Sequence, residues 1–167
     1  MRKIMETVSL ATLALLIGIS WYALHGPNPL PSRIPTHFNA LGQADGWGSP
    51  AALWLLPAVA VALYLVISVV AMFPAAFNLP GRPTGALRAR LEAITLKMIS
   101  WVKAELACLF LFIQWSILQS VRNGQGSMPP LIVPFFLVVV FGTVVAHAVL
   151  LFRAARKPMQ PGKLIQP

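Results

Sequence analysis

Four long apolar stretches divide the chain, at residues 4–24, 51–73, 98–121 and 131–152. Each is long enough to cross the hydrocarbon core of a bilayer, which takes about 20 helical residues. None of them alternates apolar and polar residues as a barrel strand does, and in lipid only helices and closed barrels satisfy the backbone. The pattern therefore predicts an all-α membrane protein built as a bundle of four transmembrane helices.

The composition excludes a soluble protein. Hydrophobic residues make up 57% of the chain and charged residues only 10%, against roughly a quarter in average soluble domains. The single cysteine, Cys108, lies in an apolar stretch, so neither an intrachain disulfide nor a cysteine-based zinc site is available. The sequence also lacks a nucleophile motif, a phosphate loop and a redox-cofactor signature. We therefore expect a protein that is not an enzyme and binds no cofactor.

The basic residues predict the orientation. Of the thirteen, eleven lie on one side of the predicted membrane and only Arg33 and Arg122 on the other. The eleven are Arg2, Lys3, Arg82, Arg88, Arg90, Lys97, Lys103, Arg153, Arg156, Lys157 and Lys163. By the positive-inside rule we expect both termini to be cytoplasmic and the linkers 25–50 and 122–130 to face outward. The net charge of +9 is then a topology signal, and we expect no nucleic-acid partner.

The linker between the second and third stretches contains a further predicted helix. Leu87, Leu91 and Ile94 recur at helical spacing, which indicates an interfacial amphipathic helix directly before the third transmembrane helix. We interpret this segment as a basic anchor, with docking of a cytosolic protein as the alternative. The linker 122–130 is typical of a plain turn.

The outer linker 25–50 is predicted to have a defined shape. Its prolines and glycines restrict or bend the backbone, and Ser49 followed by Pro50 is a good start for the second helix. Pro57 and Pro134 lie near the outer ends of two helices and predict bends there. Such bends would open a shallow cavity beneath the loop.

The run IPTHFNALGQADGWGS in this linker resembles the signature of a small bacterial membrane domain of unknown function, found at the N-terminal end of SdpI-like immunity proteins. The residues that match its pattern are Pro35, His37, Phe38, Asn39, Gly42, Asp45 and Trp47. The resemblance implies a unit over 1–75, made of helix 1, the loop and helix 2. Residues 76–167, with the basic linker, helices 3 and 4 and a basic tail, complete what we expect to be one folded unit.

The resemblance also implies a function for the seven matching residues. We expect a non-catalytic membrane protein whose 31–49 loop recognises an external peptide or envelope component, in immunity or signal relay. Its partners are then the lipid bilayer and a peptide or protein at the outer loop. One alternative is a structural accessory subunit of a larger membrane complex. Another is a metal-dependent membrane enzyme.

Besides recognition of a peptide or lipid headgroup, the polar residues of the outer loop leave two interpretations open. His25, His37 and Asp45 are candidate metal ligands, although their spacing matches no histidine motif. In the second interpretation His37 and Asn39 bond loop carbonyls, and Asp45 closes a turn and pairs with Arg33.

Two ionisable residues lie within the predicted membrane near its cytoplasmic side. Glu105 is about 10 Å and His147 about 7.5 Å from the helix ends, at 1.5 Å per residue. Because a charge in lipid is costly, we expect Glu105 to face the bundle with His147 as partner. Lys103, Glu6 and Thr143 are alternatives, with Lys103 itself placed to snorkel to the interface. We interpret the pair as polar glue between helices rather than a proton relay.

Overall fold

The fold is known from a computed structural model that describes residues 1–124 and 126–156. It is mostly helical, and three of its helical segments are long and apolar enough to cross a membrane: Arg2–His25, Pro50–Ala71 and Ile132–Arg156. The elements in chain order are α1 (Arg2–His25), β1 (Ile34–Phe38), β2 (Ala44–Gly48), a 3-10 turn (Pro50–Trp54) leading into α2 (Leu55–Ala71), a second 3-10 turn (Pro74–Ala76), α3 (Gly85–Arg122) and α4 (Ile132–Arg156). The predicted tail with Lys157 and Lys163 lies outside the described residues.

The central element is α3, which contacts each of the other three helices. Contacts of Glu6 with Lys103 and of Ser20 with Gln114 show that α1 runs parallel to α3. The helices α2 and α4 run antiparallel to it. Successive helices therefore run in opposite directions, and the ends of the helices lie on two opposite faces of the bundle. We call the face beside the two strands the hairpin end.

Three small apolar clusters follow one another along the helices. At the hairpin end Ile34, Leu53 and Ile117 are buried together. Leu16 and Ala107 belong to the middle cluster, and a third cluster lies at the opposite end. Most other large apolar side chains of α2 and α4 are exposed, as expected of helices whose outer surfaces meet lipid.

Two predictions about the elements were wrong. The fold is not all-α, because the loop 25–50 contains the antiparallel pair β1 and β2. The amphipathic segment before the third stretch is also not a separate interfacial helix, since α3 runs unbroken for 38 residues. Its Leu91 is fully buried against Leu79 and Ala154, so this part of α3 packs on the end of α4.

The prolines at the hairpin end lie at helix starts. Pro57 is the third residue of α2 and Pro134 the third of α4, and proline is tolerated in the first turn of a helix without a bend. The cavity predicted beneath the loop is present. Because both prolines lie in the first turn of a helix, bending of the helices at these residues does not explain the cavity. The predicted cap is confirmed, because Ser49 accepts a hydrogen bond from the Ala51 amide beside Pro50.

Candidate functional site

The site begins with a tight turn that joins β1 to β2. The side-chain Oδ1 of Asn39 accepts hydrogen bonds from the amides of Leu41 and Gln43, each at 3.0 Å. This is an Asx-type turn, in which a short side chain replaces a backbone acceptor. Gly42 completes it with a positive φ of 75°, a conformation that favours glycine. Asn39 therefore shapes the hairpin, while the predicted bond from its side chain to a loop carbonyl is replaced by these contacts.

The tip of the hairpin is docked on the connection between α3 and α4. The Met128 amide donates to the Gly42 carbonyl and the Ala44 amide to the Gly126 carbonyl, both at 2.8 Å. Gln43 forms an isolated bridge with Ser127. The linker predicted as a plain turn thus adds a short third segment to the hairpin. The residues of this connection show no alternation typical of a strand. The pairing therefore could not be predicted from the local sequence and arises only when the fold brings the connection beside the hairpin.

His37 and Asp45 form a polar pair on the surface of the hairpin. The Nδ1 of His37 lies 2.5 Å from the Oδ1 of Asp45, and 72% and 44% of their side chains are exposed. Arg33 does not join Asp45 as predicted, because its guanidinium donates to the Trp47 carbonyl at 3.2 Å. A polar pair this exposed adds little stability. Because both side chains are exposed, another molecule can reach them.

The structure does not assemble the predicted metal ligands. His25 stacks on Trp21 and its Nδ1 contacts the Trp21 carbonyl at 3.1 Å. His37 and Asp45 remain a group of two. Within residues 1–124 and 126–156, no three His, Cys, Asp or Glu side chains are grouped to hold a metal ion.

A cavity of about 220 Å³ lies beneath the hairpin, between β1, the start of α2, α3 and the start of α4. We call it the hairpin cavity. Its described lining is apolar apart from Thr36 and His37, and it includes Pro35, Phe38 and Leu53. An apolar cavity of about 150 Å³ is enough to bind benzene. The hairpin cavity therefore has room for one leucine or phenylalanine side chain.

Trp47 and Phe38, both among the matched residues, pack against neighbouring parts of the structure. Trp47 is 48% exposed, and its ring lies against Gly126 on the docked connection. Phe38 packs against the apolar cluster at the hairpin end. Six of the seven residues that carry the resemblance therefore shape the hairpin or line its cavity: Pro35, His37, Phe38, Asn39, Gly42 and Trp47. The seventh, Asp45, contributes the exposed carboxylate.

Below the hairpin, Gln114 of α3 joins α1 to the 3-10 turn that leads into α2. It is fully buried, and its Nε2 donates to Ser20 Oγ at 2.8 Å and to the Leu53 carbonyl at 3.0 Å. Pro57 has no amide hydrogen to give the Leu53 carbonyl, so Gln114 supplies the missing bond. This contact was not predicted from the sequence. The signals that could have indicated it are a proline, which leaves a carbonyl without a partner, and a glutamine in a neighbouring apolar helix.

A charged cluster occupies the other end of the helices. Lys103 Nζ donates to Glu6 at 2.7 Å and to Ser68 at 3.2 Å, and it lies 4.5 Å from the ring centroid of Tyr64. The Tyr64 hydroxyl also donates to Glu6, at 3.0 Å. Lys103 is 5% exposed, so the prediction that it snorkels to the interface was wrong. It pairs instead with the carboxylate at the same depth on α1.

The predicted intramembrane pair is arranged differently. Glu105 Oε1 accepts a hydrogen bond from Thr143 Oγ1 at 2.5 Å, and His147 Nδ1 contacts the Thr143 carbonyl at 2.8 Å. The direct partner of Glu105 is therefore Thr143, one of the alternatives. His147 lies one turn further along α4 and hydrogen-bonds its own helix.

The fold and the site define a mostly helical protein with membrane-spanning helices and a small β-hairpin at one end. Residues 10–61 match a family described as a domain of unknown function, DUF1648. The match covers most of α1, the hairpin and the first part of α2. Neither a curated protein nor a solved structure matches the chain.

Proposed function

We propose that the chain is an integral protein of the bacterial inner membrane with four transmembrane helices and both termini in the cytoplasm. Residues 103–122 of α3 span about 30 Å at 1.5 Å per residue, which is the thickness of the hydrocarbon core. Glu105 is the one charged residue between Lys103 and Arg122, and Thr143 donates a hydrogen bond to one oxygen of its carboxylate. The distribution of basic residues supports this orientation, and the hairpin end then faces outward.

On this topology, the hairpin recognises an external peptide or envelope component and performs no chemistry itself. The observation that carries this proposal is the apolar hairpin cavity with the exposed His37–Asp45 pair on the strands above it. An apolar side chain of the ligand enters the cavity, and the pair meets its polar backbone. Binding pockets commonly combine an apolar lining with a few polar groups in this way.

The arrangement also supports a role in signal relay or immunity, as in SdpI-like proteins. The hairpin tip is bonded to the connection after α3, and α3 continues without a break to the basic linker. A ligand that moves the tip therefore acts on a helix that extends to the other side of the membrane. The family match over residues 10–61 is compatible with such a role.

A cavity-filling substitution tests recognition. Ala52 lines the hairpin cavity, so Ala52→Phe fills it, while Ala51→Phe adds the same ring at an exposed neighbour that does not line it. The probes are labelled hexapeptides with a single central leucine, phenylalanine or alanine, measured by fluorescence anisotropy on the protein in nanodiscs. Leucine and phenylalanine peptides should bind at least about tenfold tighter than the alanine peptide, since each buried methylene contributes about 0.8 kcal/mol.

The two variants distinguish the outcomes. Ala52→Phe should abolish the preference for the larger side chains, and Ala51→Phe should retain it. Equal binding of all three peptides, or a preference that survives in Ala52→Phe, would show that the hairpin cavity does not recognise a peptide side chain.

A further inference from the structure

Two further cavities adjoin each other on the other side of α3. The first, which we call the upper cavity, measures about 560 Å³ and lies at the hairpin end between α3, the α3–α4 connection and Leu41 at the hairpin tip. The second, the lower groove, measures about 400 Å³ and lies between α1, α3 and α4. Phe112 and Trp115 form walls of both. The two spaces therefore meet at these aromatic rings.

The upper cavity combines aromatic and uncharged polar groups. Trp115 is 47% exposed, and the side-chain amides belong to Gln119, one turn further along α3, and Asn123, directly after the end of α3. None of the described residues that line this cavity is charged. Aromatic rings beside neutral donors and acceptors suit a molecule with apolar faces and many hydroxyl groups, as a sugar has.

Ser120 gives a second indication of a polar ligand here. It lines the upper cavity and is 4% exposed, and its Oγ has no hydrogen-bond partner among the described residues. Other buried helical serines, such as Ser20 and Ser116, donate to the carbonyl one turn earlier. A buried polar atom without a partner is costly. The hydrogen-bonding capacity of Ser120 is therefore unused at the wall of the upper cavity.

The lower groove has the opposite chemistry. Its lining comprises Leu15, Ile19, Cys108, Leu111 and Phe136 besides the two shared aromatic residues. From residue 108 to residue 115 it follows α3 for about 10 Å, within the segment that we propose to cross the membrane. A groove of this kind accommodates a hydrocarbon chain and no polar group.

We infer that the two spaces together bind one amphiphile, with an uncharged sugar headgroup in the upper cavity and a hydrocarbon tail in the lower groove. An ordinary anionic phospholipid fits less well, because none of the described lining residues supplies a cation for its phosphate. A free sugar leaves the lower groove unused. The upper cavity shares only Met128 with the lining of the hairpin cavity, and its proposed ligand is a lipid, so this inference goes beyond peptide recognition.

Three probes separate these possibilities when titrated against the intact protein by native mass spectrometry. They are a glucosyl diacylglycerol, a phosphatidylglycerol with the same acyl chains, and glucose. The glucosyl lipid should bind with 1:1 stoichiometry and at least about tenfold more tightly than the other two. Equal binding of the phosphatidylglycerol would overturn the headgroup assignment. Binding of glucose as tight as that of the glycolipid would overturn the role of the groove.

Variants locate the binding. Trp115→Ala should weaken glycolipid binding roughly three- to tenfold, the loss expected for one aromatic contact, whereas Trp21→Ala removes an exposed tryptophan that lines neither space and should leave it unchanged. Gln119→Leu keeps the size of the side chain and removes its amide, so it should also weaken glycolipid binding. This variant tests the inference if Trp115→Ala fails to fold. Unchanged affinity in both cavity variants would overturn the inference. Ala52→Phe should not affect glycolipid binding, which separates failure here from failure of peptide recognition.

Discussion

At the scale of single residues, Gly42 shows why the hairpin depends on glycine. Its φ of 75° lies in the left-handed region, and a Cβ there would collide with the Met128 carbonyl oxygen. Its amide donates to Asn39 and its carbonyl accepts from Met128. One residue therefore both turns the hairpin and docks it on the α3–α4 connection.

Gly81 offers a control that separates these two roles. Its φ of 79° is nearly the same, but nothing lies within 4 Å of the Cβ position. Gly81→Ala should cost about 1–2 kcal/mol in free energy of unfolding from backbone strain alone. Gly42→Ala should cost clearly more, because the Met128 contact must also shift. The measurement is unfolding in mixed micelles, and equal losses would contradict the docking role.

At the scale of elements, two polar side chains of α3 hold α1 and α2. Lys103 and Gln114 are eleven positions apart, close to three helical turns, so they lie on one face of the helix. Lys103 binds Glu6 and Ser68 near one end. Gln114 binds Ser20 and the Leu53 carbonyl near the other. Polar contacts therefore fix the register of the three helices where apolar packing alone would allow sliding.

A double-mutant cycle tests the ionic contact. Lys103→Met leaves the Glu6 carboxylate without its counter-ion and should destabilise the protein by about 3 kcal/mol, the lower end of the range for breaking a buried pair. Adding Glu6→Gln to it removes the orphaned charge and should restore a large part of that loss. Unfolding in mixed micelles measures each variant. The cycle consists of Lys103→Met, Glu6→Gln and the double variant. If the loss of stability in the double variant equals the sum of the losses in the two single variants, the residues do not interact energetically.

Three of the helices could be predicted from the sequence, because a helix that crosses lipid needs a long apolar stretch. The apolar stretches give the ends of α1, α2 and α4 to within a few residues. The hairpin could not be predicted in this way. Pro35, Gly46 and Gly48 lie in its strands, and both residue types are uncommon there. The pairing of His37 with Asp45 depends on an irregular register, which no local pattern encodes.

At the scale of the whole molecule, the two ends differ in chemistry. The hairpin end has the hairpin cavity, the upper cavity and few basic residues. The opposite end has the contact between buried Lys103 and half-buried Glu6. It also has a basic segment made of Arg82 and the start of α3, with Arg88, Arg90 and Lys97. Because α3 extends from that segment to the docked hairpin, the proposed functions require that it cross the membrane and that the hairpin end face outward.

Thiol labelling with a membrane-impermeant maleimide tests this arrangement most directly. In a Cys108→Ser background, single cysteines replace Leu41 at the hairpin tip and Thr84 before α3, both exposed positions. Leu41→Cys should be labelled in intact cells, and Thr84→Cys only after the membrane is permeabilised. Labelling of Thr84→Cys in intact cells, or protection of Leu41→Cys until permeabilisation, would contradict the topology on which the proposed recognition rests.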